Sequence, residues 1–254
     1  MNYLGHSWVA LKATNRQDSL LIAGSHLPDL VPFVPNSIFT FEQIHESGDL
    51  LLDFLRKNHP DKTSLALGIV SHSVRYGADK FNPEIEKLLN LDENSAEDLA
   101  QLISKASAVS YEIARGARMH NFLWTGIEMY LSKNQQFTHD LEQLNQEINY
   151  REVSQLLSGF FHLDEPLVYQ EIESFFRKTT KVAKDQFELA NQWRDIAVGL
   201  PEGDNVDVDK TATLIAYIYD KFANQWEGLL NQVTSTVKRN MEQFLSSRVQ
   251  GPSG

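Results

Sequence analysis

Seven residues of the first half have the chemistry of a metal site. His6 lies in YLGHSWVAL, His45 follows FEQI, His72 lies in LALGIVSHSV and His120 in ARMHNFLW. Each occupies a helical position where an apolar or small residue would be expected. Asp29 follows a proline inside the apolar stretch AGSHLPDLVPF. A neutral imidazole on an apolar face needs partners for both ring nitrogens, and a carboxylate there must be paired, capping or ligating. A metal ion, with an acceptor behind each imidazole, supplies those partners. Asp79 and Glu128, each a short way after a histidine, extend the set to mixed nitrogen and oxygen donors. Such a set suits zinc or another first-row divalent ion rather than calcium or magnesium alone. Taken singly, each residue also reads as ordinary: a satisfied core histidine, a loop or cap aspartate, a glutamate on a solvated face. Their joint occurrence carries the argument. His59, His139 and His162 read as solvated or helix-end residues. His26, three residues before Asp29, could be a substitute ligand but reads as a loop histidine.

The bulk composition narrows the setting. The chain has 254 residues, a net charge of −11 and no cysteine. Thiolate ligands and disulfides are therefore excluded, and any transition-metal site must use His, Asp or Glu. The lysines and arginines are scattered, so a broad basic face for extended nucleic acid is not expected. The start MNYLGHSWVALKATNRQD lacks a charged region followed by a long apolar run, and no window approaches a membrane span. A cytoplasmic protein without a transmembrane segment is the expectation.

The elements that must position these residues are helical. Apolar residues recur three or four apart nearly everywhere, which predicts an all-α, multi-helical fold. Helices are expected at Tyr3 to Thr14, Asp18 to Ala23, Thr40 to Asn58 and Pro60 to Ala78, the last with Asp61 near its start. Ser95-x-x-Asp98 resembles an N-terminal capping box opening a helical stretch to Leu131. Shorter helices follow at Asp140 to Gln146 and Tyr150 to Phe161. One long stripe starts after Asp164, with Pro166 in the first turn, and runs to Trp193. Another runs from Lys210 to Leu245, with Asp209 as N-cap. LPDLVPFVPN reads as an extended loop, and GLPEGDNVDVD as the loop between the two long helices. Residues 1–254 read as a single domain: a metal-site half at 1–131, a polar division at 133–149, and long packing helices at 150–248.

The motifs GHSWVALKA, AGSHLPDL, QIHESGDLLLDFL, GIVSHSVRYGAD and HNFLWTGIE resemble, in that order, those of the zinc-dependent phospholipase C family, whose fold is shared with S1/P1-type nucleases. The resemblance covers residues 1–131. It implies that Asp29, His45 and His72 hold one zinc, that His6 and a bridging carboxylate lie near a second, and that His120 and a glutamate help hold another, one to three ions in all. It also implies hydrolysis of a phosphoric ester by water activated on the metal. Two positions depart from the pattern. Where the family places an aspartate four residues after the helix histidine, this chain has Tyr76; where it places a glutamate four residues after the last histidine, this chain has Trp124. Asp79 and Glu128 lie further along, and a helix rises about 1.5 Å per residue, so each displacement amounts to several ångströms. The opening MNYLGHSW is also similar to that of acyl-carrier-protein phosphodiesterases.

The expected activity is metal-dependent hydrolysis of a small phosphodiester or a phospholipid head group. Asp29 would serve as general base, and Arg75 or Tyr76 would contact a phosphate oxygen. The competing expectation is a non-catalytic all-α binding or scaffold protein with a partial, degenerate metal site. The long apolar stripes of the second half could also pair with another subunit as a homo-oligomer.

Overall fold

The computed structural model describes residues 3–197, 199–200 and 205–249, which form an all-α structure with no strand among them. No helix among the described residues is long and apolar enough to cross a membrane. The first half contains α1 (Tyr3–Thr14), α2 (Ser19–His26), α3 (Phe41–His45), α4 (Gly48–Asn58), α5 (Ser64–His72), α6 (Glu93–Ser107) and α7 (Met119–Ser132). The second contains α8 (Gln135–Gln146), α9 (Tyr150–Phe161), α10 (Glu165–Thr179), α11 (Gln186–Ala197), α12 (Val208–Lys221) and α13 (Trp226–Val249). One apolar cluster runs from Tyr3 on α1 to Phe244 on α13 and draws on both halves of the chain.

Every long helix expected from periodicity is broken, each for a local reason. The Lys210 to Leu245 stripe is two helices, and Asp207 rather than Asp209 caps the first, accepting from the Lys210 N–H at 3.1 Å. At the break, the Trp226 indole N–H donates to the Tyr219 carbonyl at 2.9 Å, an acceptor that a continuous helix would use itself. The Trp226 ring also packs where a side chain at Gly126 would stand: a Cβ there would lie 2.2 Å from it. The stripe after Asp164 breaks at Thr180, and Asp185 starts a new helix by accepting from the Phe187 and Glu188 N–H groups, both at 2.9 Å. Phe187, expected inside, is 49% exposed. Thr40 to Asn58 divides at Glu46 and Ser47, and the stretch to Leu131 divides at Ala108, which adopts φ 54°. Asp92, not Ser95, caps α6.

LPDLVPFVPN is not extended. Pro28 enters a helical turn at Leu27–Asp29, continued at Leu30–Phe33, because a proline in a first turn forfeits no hydrogen bond. The loop GLPEGDNVDVD lies partly outside the described residues, and α12 already begins at Val208.

Two close approaches place the candidate ligands. Gly24 on α2 and Gly68 on α5 meet backbone to backbone: a Cβ on Gly24 would stand 2.0 Å from the Leu65 carbonyl oxygen, and one on Gly68 2.4 Å from that of Leu21. Only glycine permits this crossing, which sets the end of α2 beside the end of α5. α5 stops at His72 instead of running on to Ala78. The chain then doubles back so tightly that a Cβ on Gly77 would lie 2.3 Å from the Ser71 carbonyl oxygen. The helical turn Ala78–Glu84 therefore returns Asp79 to His72.

Candidate metal centre

His72, wholly buried, is the hub. Its Nδ1–H donates to the Ser25 carbonyl at 2.8 Å, and because a carbonyl only accepts, that nitrogen carries the proton. In the neutral ring Nε2 then holds a lone pair, yet it faces Asp79 Oδ2 at 3.1 Å and Asp29 Oδ1 at 3.9 Å. Three acceptors converging on one point need a cation between them, either a proton or a metal ion. His6, on α1, stacks on His72 with ring centroids 3.7 Å apart and planes 11° apart. Its Nε2 lies 3.6 Å from Asp79 Oδ1 and 4.0 Å from Asp29 Oδ2. His45, at the end of α3, meets the His72 ring edge-on at 5.2 Å and is backed by Phe41.

Two overlapping donor groups result: His6, Asp29 and His72, and His45, His72 and Asp79, with ligand atoms of each group within 4.8 Å of one another. The nitrogens of His45 are buried beside the Pro28 backbone, and both nitrogens of His6 are buried without a hydrogen-bond partner. Buried polar atoms are rarely left so, and an imidazole nitrogen without a partner is a ready metal ligand. The donor chemistry, with one nitrogen of each imidazole able to ligate, fits a divalent transition ion such as zinc.

The electrostatics divide the site into neutral and charged members. Burial pushes His6 well below its ordinary pKa, and it pushes His45 down to about 4, so both rings are neutral ligands near pH 7. Burial also works against a charge on His72, but the Asp79 and Asp29 carboxylates outweigh it and hold this ring above its ordinary value. Burial would raise both aspartates; for Asp79 chiefly His72, and for Asp29 chiefly His72 with His26, outweigh it and hold them below the usual carboxylate range. Two carboxylates ionised inside a protein mark a place built for positive charge.

Sequence comparison adds no relative. The chain matches no family model, no curated protein and no solved structure.

Of the seven residues expected to bind metal, five converge: His6, Asp29, His45, His72 and Asp79. The other two stand apart. Glu128, on α7, accepts from the backbone N–H groups of Leu4 and Gly5 at 3.0 and 2.8 Å, so both oxygens cap the first turn of α1. Burial pushes its pKa up to about 7. His120 is half-buried, with its pKa lowered to about 4 by burial, and it joins neither donor group among the described residues. Trp124, where the family pattern has a glutamate, is fully buried and donates to Asn82 Oδ1 at 2.7 Å.

Arg75 and Tyr76 lie at a notch of about 290 Å³ that reaches the cluster at His45. Arg75 is exposed, its guanidinium 4.9 Å from the Tyr76 ring centroid. α13 braces this wall: the Tyr76 ring packs on Phe244 at 5.0 Å, and Asn240 donates to the Tyr76 carbonyl at 3.2 Å. His59, His139 and His162 are exposed.

Three participants were understated or missed in the sequence reading. His26 is not in a loop. It ends α2, and its Nδ1 lies 3.4 Å from Asp29 Oδ2. Its Nε2–H donates to Thr179 Oγ1 at 2.7 Å, whose own hydrogen goes to the Phe175 carbonyl at 2.9 Å. The three-residue spacing of His26 and Asp29 was a signal for this pair, whereas Thr179 and the Ser25 carbonyl left none.

Proposed function

We propose that this chain is a metal-dependent phosphoric-ester hydrolase of phospholipase C-like chemistry, with His6, Asp29, His45, His72 and Asp79 holding zinc. The observation that carries the reading is the convergence of His72 Nε2 with the Asp29 and Asp79 carboxylates, flanked by the buried rings of His6 and His45. A divalent ion bound there supplies Lewis acidity to a phosphoryl oxygen and makes water nucleophilic near neutral pH.

The chain's own residues have separable roles. Ser25 fixes the His72 tautomer through its carbonyl, so Nε2 is the nitrogen offered to the centre. Asp29 is the general base. Its charge is sustained chiefly by His72, and it takes the proton of the attacking water. His26, held by Thr179, positions Asp29. Arg75 at the rim of the notch binds a non-bridging phosphate oxygen through its forked N–H donors, and the Tyr76 ring orients it. The notch suits a small phosphodiester or an isolated head group.

Elemental analysis and zinc titration, combined with turnover of bis-p-nitrophenyl phosphate, test the proposal. The expected result is stoichiometric zinc and hydrolysis, both lost in His72→Ala. Absence of zinc on titration, or equal turnover by His72→Ala, overturns it. A second reading, a structural zinc site without activity, draws on Tyr76 and Trp124 standing where the family pattern has carboxylates. Stoichiometric zinc with no turnover of any phosphodiester would favour it, because closed four-coordinate sites do not catalyse.

A further inference from the structure

A second cleft, distinct from the notch at His45, reaches the His26 and Asp29 side of the cluster. Its empty space is about 550 Å³, open solvent at its mouth included. Its walls come from α1, α7, α10, α11 and the turn after α2, and Phe33, Leu189 and Ile196 make them largely apolar. Two features point to an occupant. Trp193 lines the cleft at 3% exposure, and its indole N–H has no hydrogen-bond partner, although an indole nitrogen can only donate. Lys178 and Lys181 also line it; both are exposed and neither forms an ion pair among the described residues, in a chain whose net charge is −11.

The acidic residues of the cleft are already engaged. Asp29 faces three histidines, and Glu128 accepts the Leu4 and Gly5 N–H groups. A ligand therefore has an apolar surface to cover, the Trp193 and Tyr3 donors to satisfy and two cations to neutralise. A buried donor without an acceptor costs on the order of 1–3 kcal/mol, which a ligand carbonyl relieves.

We infer that this cleft binds an amphiphilic monoanion: an acyl chain against Phe33, Leu189 and Ile196, a carbonyl oxygen accepting from Trp193, and a carboxylate between Lys178 and Lys181. The site does not depend on the hydrolase reading, since none of these contacts involves a metal.

Isothermal titration of the full-length protein with N-octanoylglycine tests it, with N-octanoylglycinamide as the neutral control. One-to-one binding is expected, weaker by about tenfold for the amide and by about tenfold in Lys178→Glu/Lys181→Glu, because two cation contacts at a rim give about that ratio. Both lysines are exposed, so the double variant keeps its fold, and an unchanged thermal melt verifies this. Trp193→Phe removes the donor and should weaken the acid and the amide alike, by about fivefold. No saturable binding, equal affinity for acid and amide, or undiminished binding by the lysine variant overturns the inference. Lys178 and Lys181 lie outside both donor groups, so the lysine variant keeps zinc and turnover while losing the ligand, and the two readings fail separately.

Discussion

Asp29 and Glu128 are both carboxylates withdrawn from water, and their neighbours drive them apart. Asp29 is ringed by three imidazoles and held below the usual carboxylate range, so it stays ionised. Glu128 meets two backbone N–H groups and, among the described residues, no cationic side chain, and burial lifts it to about 7. Burial penalises both charges. What differs is that His72, held charged, faces Asp29, whereas the direct partners of Glu128 are backbone N–H dipoles. Depth alone therefore does not make a carboxylate a ligand. The converging nitrogens around Asp29 are those of the proposed metal centre, whereas Glu128 caps a helix start.

The contrast breaks most sharply at the metal. Asp29→Ala should weaken zinc by more than about 100-fold in competition with a chromophoric chelator, since even residues behind the ligands typically cost 10–100-fold. Glu128→Gln should leave zinc affinity within about threefold. An equal loss in both variants would place Glu128 in the centre.

The next effect is on pH-dependent stability. Glu128 binds its proton more tightly folded, at about 7, than at its ordinary value of 4.5. Between those values the folded chain holds more protons than the unfolded one, so the Glu128 contribution is full below 4.5 and is lost as pH rises through 7. Urea melts of zinc-free wild type and Glu128→Gln should diverge across that window by roughly 3 kcal/mol, with wild type losing ground as pH rises. Asp29 runs the other way: its depressed pKa contributes stability at neutral pH that is lost only in acid. Parallel curves for wild type and Glu128→Gln would show that Glu128 is not protonated in the fold.

A smaller effect sharpens the role of chain reversal. Gly77→Ala meets the Ser71 carbonyl and should push Asp79 away from His72, weakening zinc by about tenfold and lowering stability by about 2 kcal/mol. Unchanged zinc affinity would mean that Asp79 is dispensable. The smallest effect is expected of His120→Ala. Zinc affinity should change less than about twofold, because His120 stands outside both donor groups. A loss like that of Asp29→Ala would restore it as a ligand.

Much of the site could be read from the chain. His6, His45 and His72 interrupt apolar faces, and Asp29 interrupts an apolar turn, so each announces a buried polar group with unmet needs. Asp79 was legible only as a candidate, because its place was judged along a helix that in fact ends at His72. His120 and Glu128 were indistinguishable from ligands by type and spacing. Thr179, more than a hundred residues from Asp29, could not be found by any local pattern.

By itself the sequence determined the helical class, the helix start at Asp164 and the set of polar residues that must find partners indoors. Asp164 and Asn149 cap where their side chains can reach the third residue's N–H, and the apolar stripes lie on buried faces. Tertiary structure alone decided where the long stripes break, which carboxylate meets the histidines and which meets a helix end. The physical reason is that apolar periodicity records which face is buried and is blind to chain direction. A stripe continues in register through the Trp226 turn, while the meeting of Asp29, His72 and Asp79 depends on two glycines crossing and a third letting the chain double back.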